Sequence, residues 1–172
     1  MNNFDSLAAN KLGALWAVVD RALESTSEDH SRTNVAVLLW LRHWAPVGVV
    51  ELAKVIGLSQ PACSRAVDRL VERGLVDRSE REGREVDLCL STEGCLEADR
   101  LQRERLKACD SLLGALSQKE RVIMAGLLDK VLGNAVVDRA FARNVCRFCD
   151  HSVCDGPDCP VGSRATEIER GF

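Results

Sequence analysis

Four cysteines lie close together near the end of the chain, in the stretch CRFCDHSVCDGPDCP at residues 146–160. Cys146, Cys149, Cys154 and Cys159 have the spacing C-x2-C-x4-C-x4-C. Asp, Gly and Pro residues between them favour turns, so the chain can fold back around a centre. Four converging thiolates repel one another without a cation, whereas a metal or cluster stabilises them and orders the loop. The pattern therefore favours a bound metal centre over a disordered tail with exposed thiols or two disulfides.

Two kinds of centre fit this spacing. A structural zinc site with four cysteines commonly uses two separated C-x2-C pairs, and only one such pair occurs here. Cys159-Pro160 is similar to the Cys-Pro ending of bacterial ferredoxin loops. A single loop with these gaps can reach around a four-iron cluster, which is wider than one ion. The spacing thus favours an iron–sulfur cluster of the [4Fe–4S] type, with zinc and [2Fe–2S] as alternatives; four cysteines make His151 unnecessary as a ligand.

Composition and charge indicate an ordinary globular chain. The 172 residues are 46% hydrophobic and 28% charged, with a net charge of −3, so the overall balance does not itself favour nucleic acid. There is no run of 18 apolar residues, which argues against a membrane span, and the N-terminus lacks the basic region of a signal peptide. We therefore expect a cytoplasmic protein whose eight cysteines are reduced, which favours metal or redox chemistry over disulfides.

Hydrophobic periodicity predicts a mainly α-helical fold with one β-hairpin. A long helix is expected over 4–25, a short apolar helix over 33–44 with Thr33 as N-cap, and two short helices within 48–73. The hairpin covers 75–91. Two long helices follow, over about 92–115 and from Ser117 to about 144, the second opened by a capping box with Glu120. The last dozen residues are polar and are expected to fray.

This order predicts five segments. They are an N-terminal dimerisation helix (1–32), a winged helix-turn-helix lobe (33–91), C-terminal dimerisation helices (92–145), the cysteine loop (146–160) and a flexible tail (161–172).

Residues 52–86 have the pattern of a winged helix-turn-helix. Ala53 is small enough for two helices to cross closely, and Gly57 permits the tight turn between them. The second helix begins with polar residues that would face base edges and phosphates. These are Ser59, Gln60 and Ser64, followed by Arg65, Arg69 and Arg73 on one face; Arg78, Arg81 and Arg84 lie in the wing. Six arginines and six acids between 59 and 86 leave open a plain helical hairpin with a solvated arginine face.

The stretches LAKVIGLSQPACSRAVDRLVERGLVDR and EGREVDLCLSTEG resemble the MarR-type transcriptional regulators (multiple antibiotic resistance regulators). The resemblance covers about residues 5–143. It implies a homodimer in which the first and last helices of each chain intertwine, and two winged lobes that bind palindromic double-stranded DNA at half-sites about 34 Å apart.

The resemblance also implies roles for individual residues. Ser59, Gln60, Ser64 and Arg65 would contact the major groove, with Arg69 near the DNA backbone. Arg84 matches the wing arginine that enters the minor groove. Glu82 stands where the family usually has Asp, which bears on how that arginine is oriented.

Other functions find less support in the sequence. There is no Gly-rich phosphate loop, nucleophile elbow or H-E-x-x-H motif, so we do not expect an enzyme. Trp16, Trp40 and Trp44 are expected in the core, with a pocket for a small aromatic effector as the alternative. Cys63 lies in the recognition helix and is a candidate oxidisable thiol. The family's peroxide-sensing branch uses a cysteine in the first helix, and no cysteine precedes residue 63.

The sequence therefore predicts a DNA-binding regulator that senses redox state or iron through the four cysteines. In this hypothesis the centre changes the packing of the last dimerisation helix, and so the separation of the two lobes. The alternative is a structural zinc site in a regulator that senses a small aromatic ligand.

Overall fold

The computed structural model describes residues 3–27, 29–80 and 86–171. The chain is mainly helical with one small antiparallel sheet, as the sequence predicted. The elements are α1 (Asn3–Glu24), α2 (Arg32–Trp44), β1 (Val47–Gly48), α3 (Val49–Ile56), α4 (Gln60–Glu72), β2 (Val76–Glu80), β3 (Val86–Leu90), α5 (Thr92–Leu113), α6 (Gln118–Ala135), α7 (Arg139–Cys146) and α8 (Pro160–Arg170), with a 3₁₀ turn at Gly156–Asp158. Within the described ranges, no helix is both long and apolar enough to cross a membrane.

The centre of the fold is α2, whose residues 34–41 are all buried. Ser31, rather than the expected Thr33, is its N-cap and accepts a hydrogen bond from the Asn34 N–H. A helix that is buried on every side must be enclosed by other elements. Around α2 these elements are α3, α4, α5 and β3. This core fixes the winged helix-turn-helix lobe onto the long helix α5.

The helix-turn-helix forms as predicted. Gly57 ends α3 with φ +77°, a left-handed conformation that glycine adopts without strain. Leu52 and Ala53 of α3 face Val67 and Leu70 of α4 in a shared core. Because these four residues are buried on one side, the opposite side of α4 faces outward.

The wing consists of β2 and β3, paired from Val76↔Leu90 to Glu80↔Val86, with the short β1 on the other side of β3. Ser91 caps α5 by accepting from the Gly94 N–H at 2.9 Å, and its hydroxyl donates to the Gly74 carbonyl. A Cβ on Gly94 would lie 1.9 Å from the Leu75 carbonyl oxygen, so only glycine fits this close approach. The expected Ser91–Gly94 helix start therefore also fastens the base of the wing.

Two predictions about the C-terminal third were wrong. The helix expected to run from Ser117 to about 144 ends at Ala135, and a separate helix, α7, begins at Arg139. The tail expected to be flexible over 161–172 forms α8 up to Arg170, with Val161 and Ala165 buried. Both differences have one physical cause: a second small core in which apolar residues from α7 and α8 pack around Cys146 and Cys159. We call residues 136–171 the cysteine module.

Candidate DNA-binding surface and cysteine site

The outward side of α4 carries the residues predicted to read DNA. Ser59, Gln60, Arg65 and Arg69 are exposed, and Ser64 is half-buried. Within the described part of the chain, neither Arg65 nor Arg69 has an ion-pair partner. Cys63 points the other way, with no exposed surface, and burial raises the pKa of its thiol. The predicted polar face is thus available to a partner, and the oxidisable-thiol hypothesis for Cys63 loses support.

The remaining predicted arginines divide into two groups. Arg78 lies at the base of the wing, where its guanidinium donates to the Asp68 carboxylate of α4 at 2.6 Å, both side chains being partly exposed. Arg81 and Arg84, with Glu82, lie outside the described residues. Arg73, expected on the same face as Arg65 and Arg69, instead donates to the Asp29 carbonyl and the His30 ring.

His30 connects the end of α4 to α5 through a buried network. Arg73 donates to His30 Nδ1 at 3.2 Å, and His30 Nε2 lies 2.9 Å from the Glu97 carboxylate, which Arg100 also contacts. Nδ1 must accept from Arg73, so the proton sits on Nε2 and is donated to Glu97. Burial and the nearby Arg73 charge lower the pKa of His30, against the opposing effect of Glu97. The neutral ring therefore holds α4 in place.

The four cysteines of the loop come together, as the spacing predicted. Cys146 and Cys159 are buried, and Cys149 and Cys154 pack against them. Cys146 interacts through hydrogen bonds with both Cys149 and Cys159, and Cys154 with Cys159. All four sulfurs are free thiols, so neither of the two disulfides considered for the tail forms.

Neighbouring sulfurs and burial dominate the acidity of these thiols. The hydrogen bond with Cys149 raises the pKa of Cys146, and burial raises it further. The same hydrogen bond lowers the pKa of Cys149 to about 7, with help from the positive charge of Arg105. Burial and Cys159 raise the pKa of Cys154 to about 12. Of the three loop thiols whose pKa is shifted, Cys149 is therefore the one that ionises most readily.

Two groups outside the quartet stabilise negative sulfur: the Gly162 N–H at Cys159 and the charge of Arg105 at Cys149. Cys159 is the N-cap of α8, and its Sγ accepts from the Gly162 N–H at 3.2 Å. A Cβ on Gly162 would itself lie 3.2 Å from that sulfur. The partly buried Arg105 and Arg147 place their guanidinium carbons 5.0 and 4.7 Å from the Phe148 ring centre. Backbone donors and cations of this kind tune thiolate ligands.

The four cysteine side chains lie close together, but as described they do not form a complete binding site for a single metal ion. In the ranges that the structure describes, no three His, Cys, Asp or Glu side chains are arranged to hold a metal ion. The donor chemistry, two buried thiols and the adjacent Arg105 nevertheless fit a thiolate-bound centre. Binding would have to draw the sulfurs into their final geometry.

The cysteine module packs directly against the DNA-reading lobe. His151 lies 5.2 Å, centroid to centroid, from both His43 and Trp44 at the end of α2. On α7, Arg143 pairs with Glu51 of α3 at 2.5 Å, and Asn144 donates to the Val55 carbonyl at 2.7 Å. The module therefore contacts the first helix of the helix-turn-helix as well as the centre of the fold.

A cavity of about 690 Å³ lies between the module and the lobe. Trp40 and Trp44 line one side, stacked at 5.5 Å, while Cys146, Cys154 and Cys159 line the other. Among the described residues, the buried Trp40 Nε1 and His151 Nε2 have no hydrogen-bond partner. Trp40 is in the core, as expected, whereas Trp44 and Trp16 are largely exposed.

Several residues of this site escaped the sequence reasoning. His43 and His151 lie 108 positions apart in the chain, so no sequence spacing links them. Asn144 and Gly162 carry no motif of their own. The sequence did contain a signal for helix α8, because Val161, Ala165 and Ile168 have helical spacing.

Comparisons with known proteins bear on the fold and on the helix-turn-helix. Residues 31–85 match the MarR family. This stretch begins before α2 and ends in the wing, so it contains the complete helix-turn-helix. The cysteine module lies outside the matched residues.

Solved structures of this type are similar over most of the chain. Wild-type MarR from Escherichia coli, in its apo form, is 29% identical, with 70% of this chain and 96% of that chain covered and a TM-score of 0.60. The YusO protein from Bacillus subtilis is 22% identical over 76% and 97%, with a TM-score of 0.66. MepR, a transcription regulator of the Staphylococcus aureus multidrug efflux pump MepA, is 18% identical over 74% and 96%, with a TM-score of 0.65. Together the matches show that this chain has the winged-helix fold of solved MarR-type transcriptional regulators.

The His30 network predicts a loss of stability in mild acid. Because the folded protein lowers the pKa of His30, the unfolded chain takes up the proton first as the pH falls through about 6.5. Stability is then full above that pH and declines below it. His30→Gln keeps a donor for Glu97 and an acceptor for Arg73 but cannot titrate, so it should lose less stability than wild type between pH 7.5 and 5.5. Urea midpoints of both proteins test this, and equal losses would contradict it.

Proposed function

We propose that this protein is a dimeric, sequence-specific DNA-binding regulator whose DNA affinity depends on a metal centre held by Cys146, Cys149, Cys154 and Cys159. The observation that carries the proposal is the direct packing of α7, the helix that ends at Cys146, against α3, the first helix of the helix-turn-helix. The centre we favour is a [4Fe–4S] cluster, which makes the protein a sensor of redox state or iron.

Palindromic double-stranded DNA is the proposed partner of α4. Its exposed face combines short polar residues, which can contact base edges, with Arg65 and Arg69, which no carboxylate neutralises within the part of the chain that the structure describes. Arg65 would read bases in the major groove, and Arg69 would contact the phosphate backbone. Arg78 would have to leave Asp68 to reach DNA, so we assign it a positioning role in the wing.

A second copy of this chain is the proposed partner of α6 and α1. Within its described length, α6 buries no residue, although it exposes a row of large apolar side chains: Val122, Ile123, Leu127 and Val131. The first helix exposes Leu12, Leu15 and Trp16 in the same way. Apolar surface of this extent is typical of an obligate interface. A symmetric dimer would cover it and present two α4 helices to one palindrome.

The cysteine quartet has the donor set that an iron–sulfur centre needs. Cys146 and Cys159 would hold it from the inside of the small core, and Cys149 and Cys154 from the loop. A bound cluster would supply an oxidant-sensitive, one-electron redox centre. Arg105 would offset its negative charge beside Cys149, and the Gly162 N–H would stabilise the Cys159 thiolate.

The second candidate function is a regulator with a structural zinc that senses a small aromatic ligand. The cavity between Trp40, Trp44 and the module favours it, because its volume of about 690 Å³ suits such a ligand. The unpartnered Trp40 Nε1 and His151 Nε2 could supply polar contacts there.

Replacing the two free arginines of α4 should weaken DNA binding in different ways. An operator is first selected from random DNA with the wild-type protein. Arg65→Ala should then reduce the free energy of DNA binding by about 1–3 kcal/mol and relax the preference at one base pair. Arg69→Ala should weaken binding to all sequences alike and reduce the slope of log affinity against log salt concentration by about 1. Arg164→Ala, at an exposed position of α8, is the matched control. Arg84→Ala tests the wing, and unchanged affinity would remove that residue from the interface.

A charge in the apolar row of α6 should disrupt the dimer. In Ile123→Glu the carboxylate would be buried without a partner, and we expect dimer dissociation to become easier by on the order of 30-fold or more. Lys119→Glu on the same helix is the control. Sedimentation velocity over a concentration series measures both, and an Ile123→Glu protein as dimeric as wild type would show that α6 is not the interface.

Removing a buried thiol of the quartet should abolish the metal centre. Protein purified without oxygen should absorb visible light and contain about four iron and four sulfide per chain. Cys146→Ser and Cys159→Ser should lose both properties, whereas Cys89→Ser, on the wing strand β3, should keep them. A colourless wild-type protein with one zinc per chain would contradict the cluster and favour the zinc alternative.

A further inference from the structure

We propose that Asn144 is the positioning residue through which the cysteine centre controls the recognition helix. The inference rests on the proposed function and adds the route by which the centre acts. Asn144 Nδ2 donates to the Val55 carbonyl oxygen at 2.7 Å. Val55 is the next-to-last residue of α3, immediately before the turn that leads to α4.

The carbonyl that Asn144 contacts is one that α3 cannot satisfy itself. The last carbonyls of a helix have no partner within it, and here Gly57 reverses the chain. The Asn144 amide lies so close to this turn that a Cβ on Gly57 would be 3.1 Å from Nδ2. Asn144 thus satisfies a carbonyl at the C-terminal end of α3 from outside the lobe. It also holds in place the turn that leads into α4.

The same side chain is tied to the cysteine centre. Asn144 and Cys146 lie two residues apart on the eight-residue helix α7. Asn144 Oδ1 accepts from Arg147 Nη1 at 2.9 Å, and Arg147 stacks on Phe148, next to Cys149. The Cys149 N–H in turn donates to the Cys146 carbonyl. A rearrangement of Cys146 and Cys149 on binding or losing the centre therefore moves the residue that holds α3.

The other contact between α7 and α3 is a weaker route. Arg143 and Glu51 form an ion pair in which both side chains are about half-exposed, and exposed pairs of long side chains contribute little. The Asn144 bond is part-buried, short and joined to the backbone of the turn. Arg143 therefore provides a matched control on the same helix.

The test compares DNA affinity of the loaded and the metal-free protein. Loaded protein is isolated without oxygen, with iron, sulfide and zinc measured; metal-free protein is made with an oxidant and a chelator. For wild type and Arg143→Gln we expect the two affinities for the selected operator to differ by about fivefold or more, a typical allosteric coupling. For Asn144→Ala, and for Asn144→Asp, which cannot donate to Val55, the ratio should fall below about twofold. Metal content and visible spectrum should match wild type.

Hydrogen exchange supplies a second readout that does not need DNA. Amides of residues 52–62 should exchange faster in metal-free than in loaded wild type, and equally fast in both forms of Asn144→Ala. If Asn144→Ala keeps the full affinity ratio, or Arg143→Gln loses it too, the role of Asn144 is overturned while the sensor function stands. If wild type itself shows no difference between loaded and metal-free forms, both the sensor function and the role of Asn144 are overturned.

Discussion

The fold depends on one constraint: the middle of α2 has no side that faces solvent. With residues 34–41 buried throughout, this helix can exist only if other elements enclose it. The long helix α5 covers one side, and the helix-turn-helix and β3 cover others. What remains uncovered is its C-terminal end, where His43 and Trp44 meet His151 of the cysteine module. The module thus completes the enclosure of the helix on which the DNA-reading lobe is built.

The acidic net charge becomes understandable from the ion pairs. Exposed carboxylates neutralise arginines within the chain at several places, among them Asp68 with Arg78, Asp99 with Arg42 and Glu169 with Arg139. The two arginines on the outer face of α4 have no such partner in the described ranges. DNA binding depends on where uncompensated charge lies rather than on the total. A chain of net charge −3 can therefore carry a basic recognition face.

Prediction from the sequence worked best where the preference of one or two residues allows only one local structure. Gly57 required a left-handed turn, Ser91 a helix cap, and Ser117 with Glu120 a capping box, and all three are present. Prediction failed where the outcome depended on distant partners. The break at Val136 and the ordering of α8 follow from packing around Cys146 and Cys159, which periodicity alone cannot foresee. The gathering of four thiols was predictable from spacing, but the neighbours that set their acidity, Arg105 and the Gly162 N–H, come from other parts of the chain.

The size of the second core explains how an added module can act as an input. Six buried residues form it, and two of these, Cys146 and Cys159, belong to the quartet. A core of this size contributes only modest hydrophobic stabilisation to α7 and α8. A bound centre would supply the missing free energy, since metal binding to such a segment is also folding free energy. In the proposed sensor the state of the centre would be converted into the order of α7, and α7 lies against α3. Because α7 contacts the lobe directly, this kind of regulation would require no change in the dimer interface. Such a module can therefore be added to a winged-helix dimer while the pairing of its two copies stays the same.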